Sequence, residues 1–420
     1  MSNFNKIKTL ACAAFVTLSS SVFAQTTTKQ IIIANGGKYE YMPPFEDYLT
    51  LTSYNPANGQ SNTFATIQTQ SVQDVEINNG ELFVAAQDSI VRYNLDNYQV
   101  TGKAAFSPVR KLRVAGDRLL VGKYYGGGAF FFIYDKATLQ PLDTISQITN
   151  EVRDIAVVGD TAYVAHNLVS SAYADSVGYI GVVKISTGEF IQNIDLGAHG
   201  AGLSRLFVYG KKVIGIAGKS HFLHQYSTAN GSLTSDSIGV LSGGTALVGN
   251  TLYANFSRGI GSYNIANQTI TDTVIVDTLE IVASTFDVNG SRFYVTQTDF
   301  FSFVTGGVYN LTGAKVATLP VGKSPEAIGI DYRTSVSVRN NLKNKNLTVY
   351  PNPSSKAIWI DGQVDFEGLQ VSISDMTGRV LRTETVAANT PVSIEQLPQG
   401  MYIMEIEHNN TIFRTKFIKQ

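Results

Sequence analysis

Cysteine is nearly absent: the 420-residue chain has one, Cys12. It sits in a short apolar run, Leu10–Leu18, that follows Lys6 and Lys8 and leads to Val22-Phe23-Ala24. This is the layout of a cleavable export leader, so residues 1–24 read as a signal peptide. Too little apolar sequence precedes Cys12 for a lipidation signal, and cleavage would leave a mature chain without thiols. Disulfides and thiolate metal sites are thereby excluded. Charge is also sparse, at 15% of residues with a formal net charge of −1 and no basic stripe, which excludes nucleic acid as a partner. No other apolar run approaches the roughly 18 residues of a spanning helix, so no transmembrane segment is expected in the mature chain. Histidines number five, and no H-E-x-x-H, G-x-S-x-G or calcium-loop spacing occurs. The sequence points to no metal and no cofactor.

What is abundant is Gly, Tyr, Phe, Thr, Ser and Asn, the vocabulary of short pleated strands joined by tight turns. One unit recurs: an alternating apolar strand, a polar turn with glycine, and a second strand rich in aromatic and β-branched residues. It appears as "VEINNGELFVAA" from Val75, "LRVAGDRLLVGK" from Leu112 and "IAVVGDTAYVAH" from Ile155. It returns as "LFVYGKKVIGIA" from Leu206, "TALVGNTLYANF" from Thr245 and "FDVNGSRFYVTQ" from Phe286. The turn glycines, Gly80, Gly116, Gly159, Gly210, Gly249 and Gly290, are spaced by 36, 43, 51, 39 and 41 residues. Roughly 40–50 residues is one four-stranded propeller blade, and glycine suits hairpin turns that need positive φ. Each unit continues into two more strand-like stretches, as in "SIVRYNLDNYQV" and "GVVKISTGEFIQ".

Two fragments flank these six units. Ile31–Ile67 has three strands but no opening one, and "SPEAIGIDYRT", Ser324–Thr334, is an opening strand with no continuation. Together they make a seventh unit, which closes a ring and leaves no sheet edge open. The expected fold is all-β: a seven-bladed β-propeller over 25–333, closed by strand 325–333, then a linker at 334–346 and a small β-sandwich at 347–420. With "Y-V-A" at Tyr163-Val164-Ala165 and "Y-V-T" at Tyr294-Val295-Thr296, the larger module resembles the YVTN and lactonase-like propellers.

The tail reads as alternating strands with turns at Thr377-Gly378, Pro398-Gln399-Gly400 and Asn409-Asn410, enough for an immunoglobulin-like sandwich. It carries "YPNP" (Tyr350, Pro351, Asn352, Pro353), "DMTGRV" around Gly378, "LPQGMY" with Gly400 and Tyr402, and a terminal "KFIK" with Lys416. On these motifs it resembles the type A C-terminal sorting domain of the Bacteroidota type IX secretion system. That resemblance implies export through the periplasm, with the secretion machinery as partner and the cell surface or medium as destination. Short Asp-Ser/Thr-apolar triplets place hydroxyls at Ser89, Thr144, Thr161, Ser176, Ser237, Thr273 and Thr278. They resemble the O-glycosylation acceptors of Bacteroidota, which requires surface positions. The same triplets also suit a turn entering a strand, and the sequence leaves both readings open.

For chemistry, His221 and His224 are three apart and would face opposite sides of a strand, which separates them as metal ligands. His166 and His199 read as loop or rim residues. Asp74, Asp154 and Glu326 precede inner strands near the pore, where paired carboxylates could cleave a glycoside. Arg110, Lys111, Arg153 and Arg205 occupy comparable places, so a solvated ring of salt bridges is the simpler expectation, and no catalytic residue is assigned. Loop length carries more. Turns between second and third strands share a propeller face with the blade connections, and several here are long and aromatic. Tyr39, Tyr41, Phe45, Tyr124, Tyr125, Tyr173, Phe300 and Phe301 would rim that face, either as a ligand platform or folded over their own glycines. The expected function is a non-catalytic binding protein, secreted or surface-held, whose ligand is a glycan or a protein. The alternative is a lactonase-like or glycan-cleaving enzyme.

Overall fold

The computed structural model describes residues 24–40, 42, 45–170, 174–301, 303–336, 348–361, 369–376, 379–387, 390–408 and 411–420. The expected leader (apart from Ala24), most of the linker, Tyr41, Tyr173, Gly378 and the turn Asn409-Asn410 lie outside the described residues. One compact unit spans Thr26–Thr334, and a second contains Ser335–Gln420.

The larger unit is built from seven four-stranded antiparallel sheets, the blades of a propeller. Blade 1 runs through Asp74–Asn78, Glu81–Ala86, Ser89–Asn94 and Val100–Ala105. The inner strands of blades 2 to 6 are Val109–Ala115, Val152–Val158, Leu203–Tyr209, Gly243–Val248 and Ile281–Asp287. From blade 1 to blade 6, each inner strand adjoins that of the next blade. Second strands such as Glu81–Ala86, Arg118–Lys123 and Lys212–Ala217 are buried on consecutive, mostly apolar positions because both of their faces are covered. Leu82 and Val84 pack toward Ile32 and Leu51 of blade 7, whereas Phe83 and Ala85 pack toward Leu112 and Val121 of blade 2. Burying each large side chain is worth about 1.5–3 kcal/mol, so these interblade seams hold the ring together. Outermost strands such as Glu189–Asp195 are exposed on most positions and read as polar sequence.

The turn glycines follow the register. In blade 2, Ala115 pairs with Arg118 across a two-residue turn, and Gly116 takes φ +61°. Blade 6 departs from this pattern. Asp287 pairs with Arg292 across four residues, so the positive φ falls on Ser291 (+50°) and Gly290 is not the residue that needs it.

Blade 7 joins the two ends of the propeller sequence, in the order Pro325–Val336, Ala24–Asn35, Leu49–Tyr54, Ser61–Ile67. Ile31 and Ile33 share a core with Ile328 and Ile330. Beside it, the buried Gln30 amide donates to Asp331 Oδ2 (2.9 Å) and to the Leu95 carbonyl of blade 1 (3.2 Å). The Tyr98 hydroxyl donates to Gln30 Oε1 at 2.7 Å. On the other side, Thr296 of blade 6 donates to the Pro325 carbonyl at 2.7 Å. No sheet edge is left open between the first and last blades.

The C-terminal unit is a three-stranded and a four-stranded sheet. Val349, Ile358 and Val392 of one share a core with Val371, Ile373, Met404 and Phe417 of the other.

Candidate functional site

The loop face is assembled from the starts of the inner strands and the turns between second and third strands. In blades 2 to 6 the inner strand is bulged near its start, for example between Val109 and Lys111 and between Val152 and Asp154. A bulge re-aims the side chains beside it, and here Arg110 and Arg153 line the mouth of the channel. The central depression, about 530 Å³, is lined by Asp74, Arg110, Arg153, Arg205, Ser284 and Glu326, with Tyr124 and Phe300 at its rim.

Its two halves differ in charge. Lys111 reaches Asp74 at 3.0 Å and Asp154 at 3.4 Å, and Arg113 lies 3.7 Å from Asp154. Asp74 and Asp154 also accept backbone N–H groups of Leu112 (3.0 Å) and Leu206 (2.8 Å). Burial drives the Asp154 pKa up, but Lys111, Arg205, Arg113 and the Leu206 N–H outweigh it and hold the carboxyl below its ordinary range. This corrects the expected solvated ring. Asp74, Lys111 and Asp154 are buried, with Asp154 only 2% exposed, and they tie inner strands to one another. Blades 5 and 6 present Gly244, Ala283 and Ser284 to the same depression. Glu326 of blade 7 differs from the other acids. Burial lifts its pKa to about 7, opposed by the Val72 N–H, the Ser71 hydroxyl (3.4 Å) and Arg110.

A second cavity, a groove of about 610 Å³, opens between the loops of blades 2 and 3 and shares Tyr124 and Arg153 with the depression. Tyr125 is 62% exposed and meets Tyr124 edge-on, with centroids 5.2 Å apart. The Arg110 guanidinium sits 4.3 Å over the Tyr124 ring and fixes it. A chain of ion pairs runs along the groove: Arg110 to Glu151 (3.3 Å), Glu151 to Arg153 (2.8 Å), Arg153 to Asp175 (3.3 Å). Burial raises the Glu151 pKa, and the two arginines oppose it.

The aromatic residues expected at this face therefore separate. Tyr124 and Phe300 line the depression, and Tyr124 and Tyr125 line the groove. Tyr39 and Phe301 are exposed and line neither cavity. Glu151 escaped the sequence reading and Asp175 entered it only as the first residue of the triplet at Ser176; the joint role of Arg110 and Arg153 was missed as well. The parallel "VRKL" from Val109 and "VRDI" from Val152 is the signal that places both arginines in one register.

Other expectations are corrected. His166 is not at the rim. It is 1% exposed within the strand Thr161–Val169, stacked on Tyr179 and bonded to Asn193 Oδ1 at 3.0 Å. His221 occupies a turn at φ +60°, while His224 is buried in the next strand and donates from Nε2 to the His199 carbonyl at 3.0 Å. Ser89 is 2% exposed and has no room for a glycan, whereas Thr144, Ser237 and Thr273 are exposed and Thr161, Ser176 and Thr278 are half-buried. Among the described residues, no group of three His, Cys, Asp or Glu is placed to hold a metal. Nor is any helix there long and apolar enough to cross a membrane.

In the tail, "YPNP" clamps the last strand. Asn352 donates to the Lys416 carbonyl (3.0 Å) and accepts from the Ile418 N–H (2.8 Å), while Tyr350 stacks against Trp359. The buried Tyr402 donates from its hydroxyl to the Pro398 carbonyl at 2.7 Å.

Comparison with solved structures agrees with the larger architecture. The chain superposes on a proposed 6-phosphogluconolactonase from Bacteroides fragilis with a TM-score of 0.53 and 11% identity, over 72% of this chain and 98% of that one. A chain of a mitotic checkpoint complex gives a TM-score of 0.51 and 14% identity, over 71% and 96%. At such identities the likeness is one of fold. No curated protein matches the sequence. Residues 348–420 match the family described as "Secretion system C-terminal sorting domain". This domain marks proteins exported by type IX secretion to the cell surface or medium, and the secretion machinery is therefore a partner of this chain.

Proposed function

We propose that the exported propeller is a non-catalytic binding protein of the YVTN type, which takes a glycan or protein ligand on its loop face. The observation that carries this reading is the continuity of depression and groove through Tyr124 and Arg153, with exposed rings beside fixed ion pairs. Concave surfaces combining apolar rings with a few held polar groups are the usual form of a binding site. Tyr39, Phe300 and Phe301 extend the rim, and Tyr41 and Tyr173 belong to the same loops in sequence. The leader at 1–24 would start the route that the tail completes.

The test is binding of the purified propeller to arrayed glycans and surface proteins, repeated with a Tyr124→Ala/Tyr125→Ala double variant. Loss of at least about tenfold in affinity is expected of rings at the centre of a site. Unchanged affinity for every ligand found would refute the assignment.

One observation favours a second reading. Glu326, with a pKa of about 7 in the depression, is a carboxyl able to give or take a proton near neutrality. A lactonase-like or glycan-cleaving activity would use it, and turnover abolished in Glu326→Gln with binding intact would establish that alternative.

A further inference from the structure

The groove between blades 2 and 3 is flanked by two ammonium groups that no carboxylate balances. Lys123 ends the second strand of blade 2, and its Nζ donates to the Gly127 carbonyl at 2.6 Å while lying 5.3 Å over the Phe130 ring. Lys219, in the turn before Phe222–Ser227 of blade 4, donates from Nζ to the Asp175 carbonyl at 2.6 Å. Gly126, Phe130 and Asp175 belong to the groove wall, so both charges stand at its lip. Gly202 presses on the stem of Lys219, since a Cβ at that glycine would come within 2.5 Å of the lysine Cβ. An ammonium has three N–H donors. Each of these two spends one on a carbonyl and forms no ion pair among the described residues.

The other charges of the groove cancel. Arg110 and Arg153 are matched by Glu151 and Asp175 along one chain of ion pairs. Lys123 and Lys219 are therefore a surplus of two positive charges beside a concave surface. The same groove carries the exposed Tyr125 and the Tyr124 ring that Arg110 holds in place. The side chains of Thr149 and Asn150 line it too, with no hydrogen bond of their own among the described residues. From these observations we infer that the groove is a subsite for an acidic glycan, whose sugar rings lie on Tyr125 and whose carboxylate or sulfate groups pair with Lys123 and Lys219. A pyranose ring brings a flat apolar face for the tyrosine, hydroxyls for Thr149 and Asn150, and an acid group on a rigid frame. An acidic peptide also meets the charges, but carries its own on flexible side chains that lose rotamer freedom on binding.

This inference rests on the loop-face reading above, and its test separates the two. Oligogalacturonates and sulfated galacto-oligosaccharides are titrated against the full exported chain by calorimetry, beside their methyl-esterified and unsulfated counterparts and poly-glutamate peptides. Variants are Lys123→Gln, Lys219→Gln, the two combined, and Lys184→Gln as a control. Lys184 lies at the other end of the third strand of blade 3 from Asp175, and its substitution removes the same charge. Lys123 and Lys219 each bond a single carbonyl, so the variants keep the fold, checked by thermal melting. Expected is binding of at least one acidic oligosaccharide, about tenfold or more tighter than its uncharged counterpart and weaker in high salt. A loss of roughly fivefold is expected in each lysine variant and of about twentyfold in the two combined, with none in Lys184→Gln. No preference for the charged form, acidic binding confined to peptides, no oligosaccharide bound, or lysine variants that behave like Lys184→Gln each overturns the inference. If the ligands found in those cases are lost in the Tyr124→Ala/Tyr125→Ala variant, the loop-face reading survives; if not, it falls as well.

Discussion

Asp154 tests whether the acids at the channel mouth hold the ring or perform chemistry. In Asp154→Ala, Lys111 and Arg113 lose a partner at 3.4 and 3.7 Å, and the Ile155 and Leu206 N–H groups lose their acceptor. Lys111 keeps Asp74 at 3.0 Å, but its side chain is only 10% exposed and water cannot replace the missing carboxylate. Breaking a buried pair from one side costs about 3–5 kcal/mol, which for a unit of this size lowers the melting temperature by roughly 5–8 °C. Because the folded carboxyl titrates below its ordinary 3.8, its contribution is whole at neutral pH and fades only as pH falls through that depressed value. The deficit of the variant, measured by calorimetry, is therefore expected to shrink in strong acid. Lys111→Met breaks the same Lys111–Asp154 pair from the other side, so the double variant is expected to fall short of additive, while the loss of the Asp74 cation keeps it less stable than wild type. A melting temperature within about 2 °C of wild type, or strict additivity, would refute the argument. Turnover lost without any loss of stability would make Asp154 a reacting group after all.

Glu326 is expected to behave in the opposite sense. Its folded pKa of about 7 lies above the ordinary 4.5, so the folded state holds the extra proton and stability declines as pH rises between those values. Glu326→Gln should melt higher than wild type at about pH 8 and match it at about pH 5; a pH-independent difference would count against this. In the tail, Asn352→Ala removes two hydrogen bonds to the last strand, worth roughly 1 kcal/mol each, and surface fractionation should show less exported protein. Mass spectrometry of the exported chain should place any sugar on Thr144, Ser237 or Thr273 and none on Ser89; a glycan on Ser89 would contradict its burial.

The architecture was legible because the ring repeats. Gly80, Gly116, Gly159, Gly210 and Gly249 all take positive φ, so a single requirement recurs at blade spacing and shows through low similarity. Gly290 marked its unit at the same spacing, although the strained position had moved to Ser291. The groove was less legible. Tyr124 and Tyr125 stood out as aromatic residues in a loop, but Glu151 lies in a blade connection with no period, and only folding brings it to Arg110 and Arg153. His166 misled for a related reason: a strand that continues to Val169 carries it inside, past the point where the repeat alone would end. Ser89 shows the limit of a three-residue motif, since Asp-Ser-Ile suits a sugar acceptor and a buried strand start equally well.

Blade 7 has a consequence for biogenesis. Its first three strands leave the ribosome early, yet they lack their inner neighbour until Pro325–Val336 has been made, and the sorting domain follows directly. A chain that terminates prematurely loses the keystone and the export label together. A ring truncated ahead of Pro325 therefore also lacks the sorting domain at 348–420.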